Sequence, residues 1–391
     1  MSKSGSLRKF FAEFIDWKLA GVVSFRAVEQ ARENEAISGG QNFMAETYEE
    51  LMRYEPPLER EADFEAFWEN GMRQLAAAEQ NASGDEASAG SIFSWQETEY
   101  TYPLPQVRVR EVILTAWDGA PLRGWYLCPA GANPGEPVPG LIRWHGYSSN
   151  RGKLCELLPW ALMGYAILAL DVRGQTGDSP DPHREKTGSF SGWLTRGLDA
   201  PENYYYRRVY LDAVQAAVAL ARRPETDGKR LAFFGNSQGA AISVAAAALL
   251  NHFGGLCGWS VHVSALGLGT PFFSHISLAL AEQKGGPLDE FSAYFRMRDP
   301  LHRTEKHVRR VLSYFDVMNL APWADCPALI GIGLQDAVCP PRAGFALVNH
   351  LGGRREVCVY PDYGHESIDP HLDRLILFMA EHMLAPNRQF P

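Results

Sequence analysis

The chain has 391 residues, of which 46% are hydrophobic and 21% are charged, and its formal net charge is −9. These values are typical of a globular protein whose core is large enough to fold without stapling by disulfides or metals. The negative charge argues against nucleic acid and anionic membranes as partners, because phosphate groups are bound by clustered Lys and Arg.

Targeting signals are not evident in the sequence. No window reaches the roughly 18 uncharged apolar residues of a membrane span. The first residues have neither an uninterrupted apolar core nor a small-residue cleavage site, so we expect a cytoplasmic protein. The six cysteines form no CxxC pair and none stands at zinc-ligand spacing with histidine. Most of them lie in apolar segments, which favours buried, reduced thiols.

Residues 1–44 are predicted to form a helical extension. Phe10 and Phe14 belong to a set of apolar residues that recur at three- and four-residue steps between residues 7 and 35, which places them on one helix face. Such a face packs on the body of the protein or on a neighbouring subunit. A helix at a membrane surface is the alternative, but Glu13 and Asp16 oppose its few basic residues.

Residues 45–391 are predicted to form one α/β domain. Two helical segments come first, and a change to two-residue alternation then predicts an antiparallel hairpin around the turn at 117–120. Beyond it, strands alternate with helices, which implies a mostly parallel twisted sheet with helices on both faces. The predicted helices are 48–54, 62–79, 154–163, 203–221, 239–250, 342–351 and 372–383, and the predicted strands are 107–113, 122–128, 140–144, 166–172, 230–234, 328–333 and 356–360.

The segment from about 271 to 312 interrupts this alternation. We expect a helical insertion beside the active site, because loops at the carboxyl ends of parallel strands usually gather there.

Ser237 stands in the sequence Gly235-Asn-Ser-Gln-Gly239, which fits the GxSxG nucleophile elbow. The motif requires a sharp strand-to-helix turn with serine in a strained conformation, and the glycines on either side relieve the crowding. An apolar strand precedes the pattern and a helix follows it, so the context favours a nucleophile over an incidental turn.

A nucleophilic serine needs a histidine base, and the histidine needs an acid to orient it. In this fold the acid follows the serine and the histidine comes last. Asp336 and His365 each follow a predicted parallel strand, so both lie at the sheet edge where Ser237 is expected. Asp325 and Asp362 are rival acids: Asp325 precedes its strand and therefore lies at the opposite edge, while Asp362 is only three residues from the histidine.

Acyl transfer also needs hydrogen-bond donors for the oxyanion that develops on the carbonyl oxygen. The backbone amide of Gln238, directly after the nucleophile, is one candidate. The amide of Tyr147, in the loop after the first parallel strand, is the other. His145 lies in the same loop, but no second histidine or cysteine stands at ligand spacing, so we predict no metal site and no phosphate loop.

At these residues the chain resembles the family-seven carbohydrate esterases, which comprise acetyl xylan esterases and cephalosporin C deacetylases. The resemblance runs from about residue 48 to about residue 378. Its marks are an Arg-Gly-Gln, a Gly-x-Ser-Gln-Gly and a His-Glu. They stand here as Arg173-Gly174-Gln175, as residues 235–239 and as His365-Glu366, and the strings 204–210, 313–316 and 338–341 are also similar to family strings.

The resemblance implies the same triad of Ser237, His365 and Asp336, and no cofactor. It implies that the Tyr147 amide lies in the oxyanion hole and that its side chain narrows the acyl pocket toward acetate. Arg173 and Gln175 are expected to organise loops, and Glu366 is either a supporting group or a solvated charge. Ring-like hexamers that admit small acetylated oligosaccharides are implied as well, although the N-terminal extension could block or extend a subunit contact.

Together these observations predict a serine esterase of the α/β-hydrolase type that removes acetyl groups from sugars or similar small esters. Another α/β-hydrolase activity, such as a carboxylesterase or a peptidase, is the enzymatic alternative. A non-catalytic scaffold that kept the fold is the alternative from another class.

Overall fold

The computed structural model describes residues 48–82, 93–185, 190–282 and 284–384, so the predicted helix of residues 1–44 lies outside the described residues. The chain divides into two compact units, residues 1–50 and 51–391, and of the first only the last three residues are described. The second unit contains the entire sheet.

Helices and strands alternate along the described chain much as the sequence predicts. In chain order they are α1 (Tyr48–Met52), α2 (Phe64–Ala82), β1 (Trp95–Glu99), β2 (Val107–Thr115), β3 (Pro121–Pro129), β4 (Val138–Trp144), α3 (Leu154–Leu162), β5 (Ala166–Leu170), α4 (Tyr205–Ala221), β6 (Thr226–Asn236), α5 (Gln238–Phe253), β7 (Val263–Gly269), α6 (Ile276–Glu282), α7 (Asp289–Arg298), α8 (Glu305–Ser313), α9 (Val317–Leu320), β8 (Ala328–Gly333), α10 (Pro341–His350), β9 (Arg355–Tyr360) and α11 (Asp369–Met383).

The nine strands of the described residues form one sheet in the order β1-β2-β3-β5-β4-β6-β7-β8-β9. Strands β1, β2 and β3 pair antiparallel, and β3 also joins β5 antiparallel. From β5 to β9 every neighbouring pair is parallel. The carboxyl ends of these six strands therefore lie along one edge of the sheet, where ligands bind in open α/β folds.

Two strands go beyond the sequence prediction. Strand β1 is polar and largely exposed at the sheet edge, so it shows no apolar alternation. Strand β7 is almost fully buried between β6 and β8, and its Ala-Leu-Gly-Leu-Gly ending lacks the β-branched residues that mark strands.

Apolar side chains cover both faces of the sheet. The larger layer includes the buried faces of α4, α5 and α10, and the smaller one lies under α3 and α11. Helix α5 begins the stretch Gln238–Cys257, the one helix of the described residues that is long and apolar enough to cross a membrane by length and composition alone. Most of that stretch is buried inside the protein, which accounts for its apolar character.

The segment predicted as an insertion contains helices α6, α7 and α8, between β7 and β8. The six cysteines are free thiols, and three of them are buried. Cys155 is exposed, contrary to the expectation of buried thiols, because it lies on the solvent side of the first turn of α3.

Candidate active site

Ser237 lies in the turn between β6 and α5, with φ of 55° and ψ of −120°. This conformation costs a non-glycine residue on the order of 1–3 kcal/mol, so the surroundings must impose it. A Cβ atom on Gly235 would lie 2.5 Å from the carbonyl oxygen of Trp144, and one on Gly239 would lie 2.1 Å from the same oxygen. Both positions therefore require glycine, and the turn packs directly on the end of β4.

The backbone of Ser237 is fixed by the neighbouring strand β7. Its amide donates to the carbonyl oxygen of Gly269 at 2.8 Å, and its own carbonyl accepts from the amide of Phe272 at 3.3 Å. Strand β7, which the sequence did not predict, thus supports the turn at Ser237, which the sequence did predict.

Three side chains form a continuous hydrogen-bonded chain. The Ser237 Oγ lies 3.0 Å from Nε2 of His365, and Nδ1 of His365 lies 2.8 Å from Oδ2 of Asp336. Ser237 and Asp336 are buried, whereas the His365 side chain is 25% exposed. The structure therefore brings together the three residues that the sequence predicts as a triad, in the order that acid–base chemistry needs.

The Asp336 carboxylate is oriented by its own loop. Its Oδ1 accepts from the backbone amides of Val338 and Cys339, at 2.9 and 2.7 Å, which leaves Oδ2 for the histidine. The rival Asp325 precedes β8 and therefore lies at the other edge of the sheet, where its carboxylate accepts from the Asn251 side chain at 2.7 Å. The second rival, Asp362, is exposed.

The loop that carries His365 is tied to the end of β8. The Gln335 amide donates to the carbonyl oxygen of Tyr363 at 2.9 Å. Gly333 lets this loop approach closely, since a Cβ there would lie 2.4 Å from that same oxygen. Glu366 is exposed and accepts from the Gly364 amide at 2.8 Å, so it acts on the shape of the loop.

The thiol of Cys339 lies beside this chain, and its sulfur, an Asp336 oxygen and a His365 ring nitrogen all fall within 4.8 Å of one another. Such a set of atoms could hold a metal ion. Here both carboxylate oxygens and both ring nitrogens already have hydrogen-bond partners. Burial and the neighbouring Asp336 charge raise the pKa of the Cys339 thiol, which disfavours the thiolate that binds metals. The cluster is better suited to proton transfer.

The two predicted oxyanion donors are Gln238, which directly follows Ser237, and Tyr147, in the loop after β4, the strand on whose end the Ser237 turn packs. Gln238 is the first residue of α5, so its amide has no acceptor within the helix. The amide of Tyr147 makes no hydrogen bond to any of the described residues, and the next residue, Ser148, has a left-handed φ of 57° that turns the loop. Both amides are therefore available to an oxyanion.

Gln175 connects these two donors. Its Oε1 accepts from the Ser148 amide at 3.1 Å, and its Nε2 donates to Oε1 of Gln238 at 2.7 Å and to the hydroxyl of Tyr205 at 3.2 Å. The side chain of Gln238 also accepts from the Tyr206 hydroxyl at 2.8 Å. The predicted loop-organising residue is thus part of a buried polar network that joins the loop of Tyr147 to the Gln238 side chain.

His145 has a structural role in the same loop. Its Nε2 accepts from the Val172 amide at 2.9 Å, so Nδ1 carries the proton and donates to the carbonyl oxygen of Gly146 at 2.8 Å. Burial lowers the pKa of His145, in keeping with a neutral ring. The histidine joins the ends of β4 and β5.

Arg173 is fully buried between two carboxylates. Its guanidinium donates twice to Asp118, at 2.6 and 3.0 Å, and twice to Asp212, at 2.6 Å each. Although burial opposes the charge, the two carboxylates hold the pKa of Arg173 above its usual range. The following residue, Gly174, has φ of +69°, a conformation that favours glycine. This arrangement fixes the start of the segment that carries Gln175.

A set of aromatic rings lines the side of the site nearest Tyr147. The Tyr147 ring lies edge-on to Trp193, at 5.2 Å between centroids, and 6.4 Å from Phe272. The Tyr147 hydroxyl donates to Glu290, a residue of α7 that sequence reasoning did not select. The only available sequence signal was the apolar pair Phe291 and Phe295, which marks the neighbouring face of α7 as buried.

Several known proteins are similar to this chain in both sequence and fold. Residues 42–382 match the acetyl xylan esterase (AXE1) family. The acetyl xylan esterase from Paenibacillus sp. R4 is 38% identical, with a TM-score of 0.76 over 86% of this chain and 99% of that one. Acetyl xylan esterase 1 from Thermoanaerobacterium sp. JW/SL YS485 is 31% identical, with a TM-score of 0.75 over the same shares.

A curated relative, the acetyl esterase Axe7A of Xylanibacter ruminicola, is 30% identical over 210 residues, which are 53% of this chain and 44% of that protein. The chain thus spans less than half of this relative. The match over residues 42–382 and the two solved structures confirm both the predicted resemblance and the α/β-hydrolase fold. The chain belongs to the acetyl xylan esterase family.

Proposed function

We propose that the protein is a serine esterase that removes acetyl groups from sugars, with Ser237 as nucleophile, His365 as general base and Asp336 as the group that orients the histidine. The observation that carries this proposal is the hydrogen-bonded chain from Ser237 to Asp336, which begins at a strained strand-to-helix turn. Strain of this kind is maintained where it positions a reacting group.

The reaction follows from the geometry. His365 Nε2 takes the proton from Ser237 Oγ while the oxygen attacks the acetyl carbonyl, and Asp336 stabilises the imidazolium through Nδ1. The tetrahedral intermediate collapses and expels the sugar alcohol, which receives the proton from His365. Water then attacks the acetyl-serine, His365 takes its proton, and acetate leaves as the proton returns to Ser237.

The amides of Tyr147 and Gln238 are proposed as the oxyanion donors. Preorganised donors contribute most when they need no rearrangement during the reaction. The network around Gln175 supports this role, because it binds the loop of the first donor to the side chain of the second.

The names of the relatives support an acetylated sugar as the substrate class, since two of them are acetyl xylan esterases. The aromatic wall of Tyr147, Trp193 and Phe272 supports a short acyl group. Acetylated xylo-oligosaccharides are therefore the proposed substrates, and cephalosporin C, a small acetyl ester, is a further one. We also propose a homo-oligomer, hexameric by resemblance, which light scattering on the purified protein would test.

The proposal is tested by acetate release from p-nitrophenyl acetate and from acetylated xylo-oligosaccharides, with wild type beside Ser237→Ala. We expect the substitution to lower kcat on the order of 10⁵- to 10⁶-fold, because the nucleophile is lost. Ser243→Ala is the matched control. This serine lies in α5, the helix that follows Ser237, and its hydroxyl donates to the carbonyl oxygen of Gly239, so its loss should change kcat less than threefold or so.

Retention of more than about a tenth of the activity in Ser237→Ala would refute the nucleophile assignment. A wild type that releases acetate from neither substrate, and that does not react with a serine-directed phosphonate, would support a non-catalytic scaffold instead. Activity that rises steadily with acyl length, or that appears only on peptides, would support the carboxylesterase or peptidase alternative.

A further inference from the structure

Glu290 joins the helical insertion to the proposed oxyanion loop. It is the second residue of α7 and is partly buried. One carboxylate oxygen accepts from the Tyr147 hydroxyl, and the other accepts from the backbone amide of Leu194 at 2.9 Å. Burial raises the pKa of the Glu290 carboxyl, while the hydrogen bonds from Tyr147 and Leu194 act against that rise.

The Tyr147 hydroxyl is held from two sides. Besides donating to Glu290, it accepts from the backbone amide of Trp193 at 2.9 Å. The Trp193 ring then lies edge-on to the Tyr147 ring, at 5.2 Å. Two hydrogen bonds and one ring contact therefore fix the orientation of the tyrosine side chain.

The backbone beside Glu290 is shaped to admit its carboxylate. Gly192 has φ of +90°, and a Cβ atom there would lie 1.9 Å from the Glu290 carboxyl carbon. Any other residue at 192 would displace the carboxylate. This independent feature indicates that the contact between α7 and the 192–194 segment is specific.

We propose that Glu290 is a positioning residue that sets the acyl-length limit of the enzyme by holding the Tyr147 ring in the wall of the acyl pocket. The inference rests on the proposed esterase function. It follows from the placement of Tyr147, whose ring faces Phe272, while the Phe272 amide donates to the carbonyl oxygen of Ser237. Phe272 is thus bonded to the backbone of Ser237, the Tyr147 ring lies beside it, and Glu290 holds Tyr147, the more exposed of the two rings.

The experiment compares kcat/KM for p-nitrophenyl acetate and p-nitrophenyl butyrate in wild type, Glu290→Gln, Tyr147→Phe and the double variant. A glutamine nitrogen cannot accept a hydrogen bond, so one of the two donors loses its partner. We expect the acetate-to-butyrate ratio to fall about tenfold in Glu290→Gln, the effect of losing one hydrogen bond to a charged group. Tyr147→Phe removes the same bond from the other side, together with the bond from the Trp193 amide, and should lower the ratio at least as much.

The double variant decides whether the two residues act as one unit. If Glu290 acts through Tyr147, the double variant should show no larger change in the ratio than Tyr147→Phe alone. Glu305→Gln on α8 is the control, since its carboxylate pairs with Arg309 and His302 on or beside its own helix, and its ratio should match wild type.

Two outcomes would overturn the inference while leaving the esterase intact: an unchanged ratio in Glu290→Gln with a wild type that prefers acetate, or additive effects in the double variant. A wild type without esterase activity on either ester would instead overturn the proposed function itself. Loss of folding in Glu290→Gln, seen by circular dichroism, leaves Tyr147→Phe to decide, because an unchanged ratio there also overturns the inference.

Discussion

The proposed active site is held by two different kinds of structure. Ser237, Asp336 and His365 stand at the carboxyl ends of β6, β8 and β9, where hydrogen bonds between backbone groups fix the loops that carry them. On the other side, Tyr147 and Glu290 stand on a loop and on the helical insertion, and side-chain hydrogen bonds hold them together. We call the first group, Ser237, Asp336 and His365, the sheet side of the site, and the second group, Tyr147 and Glu290, the loop side. The sheet side carries the proposed reaction and is rigid. The loop side carries the proposed acyl selectivity and lies on segments that accept sequence change.

The sheet side should respond to substitution with a large loss of rate. Asp336→Asn would keep an oxygen on the amides of Val338 and Cys339 and turn its NH₂ group toward His365. Nδ1 must then accept, which moves the ring proton to Nε2, where it blocks proton transfer from Ser237. We expect kcat on p-nitrophenyl acetate to fall about 10⁴-fold, the loss typical of a wrong histidine tautomer.

Asp325→Asn is the matched control for that change. Its carboxylate lies at the opposite sheet edge and pairs with Asn251, so kcat should stay within about twofold of wild type. A comparable loss in both variants, or full activity in Asp336→Asn, would remove Asp336 from the triad.

The sheet side should also be sensitive to acid, through a histidine packed beneath β8. His371 of α11 is buried, and its ring lies against Gly331, where a Cβ would come within 2.9 Å of it. Burial and the nearby Arg374 lower the pKa of His371 to about 4. Between that value and the ordinary pKa of 6.5, the unfolded chain binds a proton that the folded chain does not, so stability is lost as the pH falls through this window.

The expected contribution of His371 is a loss of about 2 to 3 kcal/mol in the free energy of unfolding between pH 7.5 and pH 4.5. Urea titrations at both pH values should therefore show a smaller pH-dependent loss in His371→Gln than in wild type. His382→Gln, on the same helix, provides the comparison, because it shows how far the loss of any histidine from this helix changes the result. Equal losses in wild type and His371→Gln would show that the buried ring does not control acid stability.

The sequence predicts the sheet side of the site far better than the loop side. The glycines of residues 235–239 predict a sharp turn at Ser237. The order of serine, acid and histidine in this fold then favours Asp336 and His365 as the partners of that serine. Strand β7 was missed because its buried Gly and Ala residues carry no strand signal, although Gly269 accepts the Ser237 amide. Strand β7 forms because tertiary contacts bury it, and the local strand propensity of its residues does not predict such burial.

Glu290 shows why the loop side is harder to predict. It lies 53 residues beyond Ser237 in the sequence, within the helical insertion, and one acidic residue in the first turn of a helix is usually explained by the helix dipole. Its proposed role depends on the contacts with Tyr147 and Leu194, which belong to two separate loops. No motif encodes the meeting of a helix with two loops, so only the structure reveals it.

The smallest effect is expected where the two sides meet, at Gln175. This side chain accepts the Ser148 amide on the loop side and donates to Gln238 on the sheet side. Gln175→Leu removes these two bonds, the bond to the Tyr205 hydroxyl and the bond from Gln238 Nε2, without a large change of volume, and the Tyr147 amide is free to move from the proposed oxyanion position. Loss of about 1.4 kcal/mol of transition-state stabilisation would lower kcat roughly tenfold, with KM nearly unchanged.

Thr176→Val tests whether that loss is specific to the buried connection. The Thr176 hydroxyl donates to the carbonyl oxygen of Ser148 at 2.8 Å, so it reaches the same residue as Gln175 but from the exposed side. Exposed hydrogen bonds exchange with water at little cost, and kcat should change less than twofold or so. If both variants lose activity equally, the loop is held by the sum of its contacts, and Gln175 does not couple the oxyanion donors. If only Gln175→Leu loses activity, this one side chain connects the sheet side to the loop side and holds the Tyr147 loop in place.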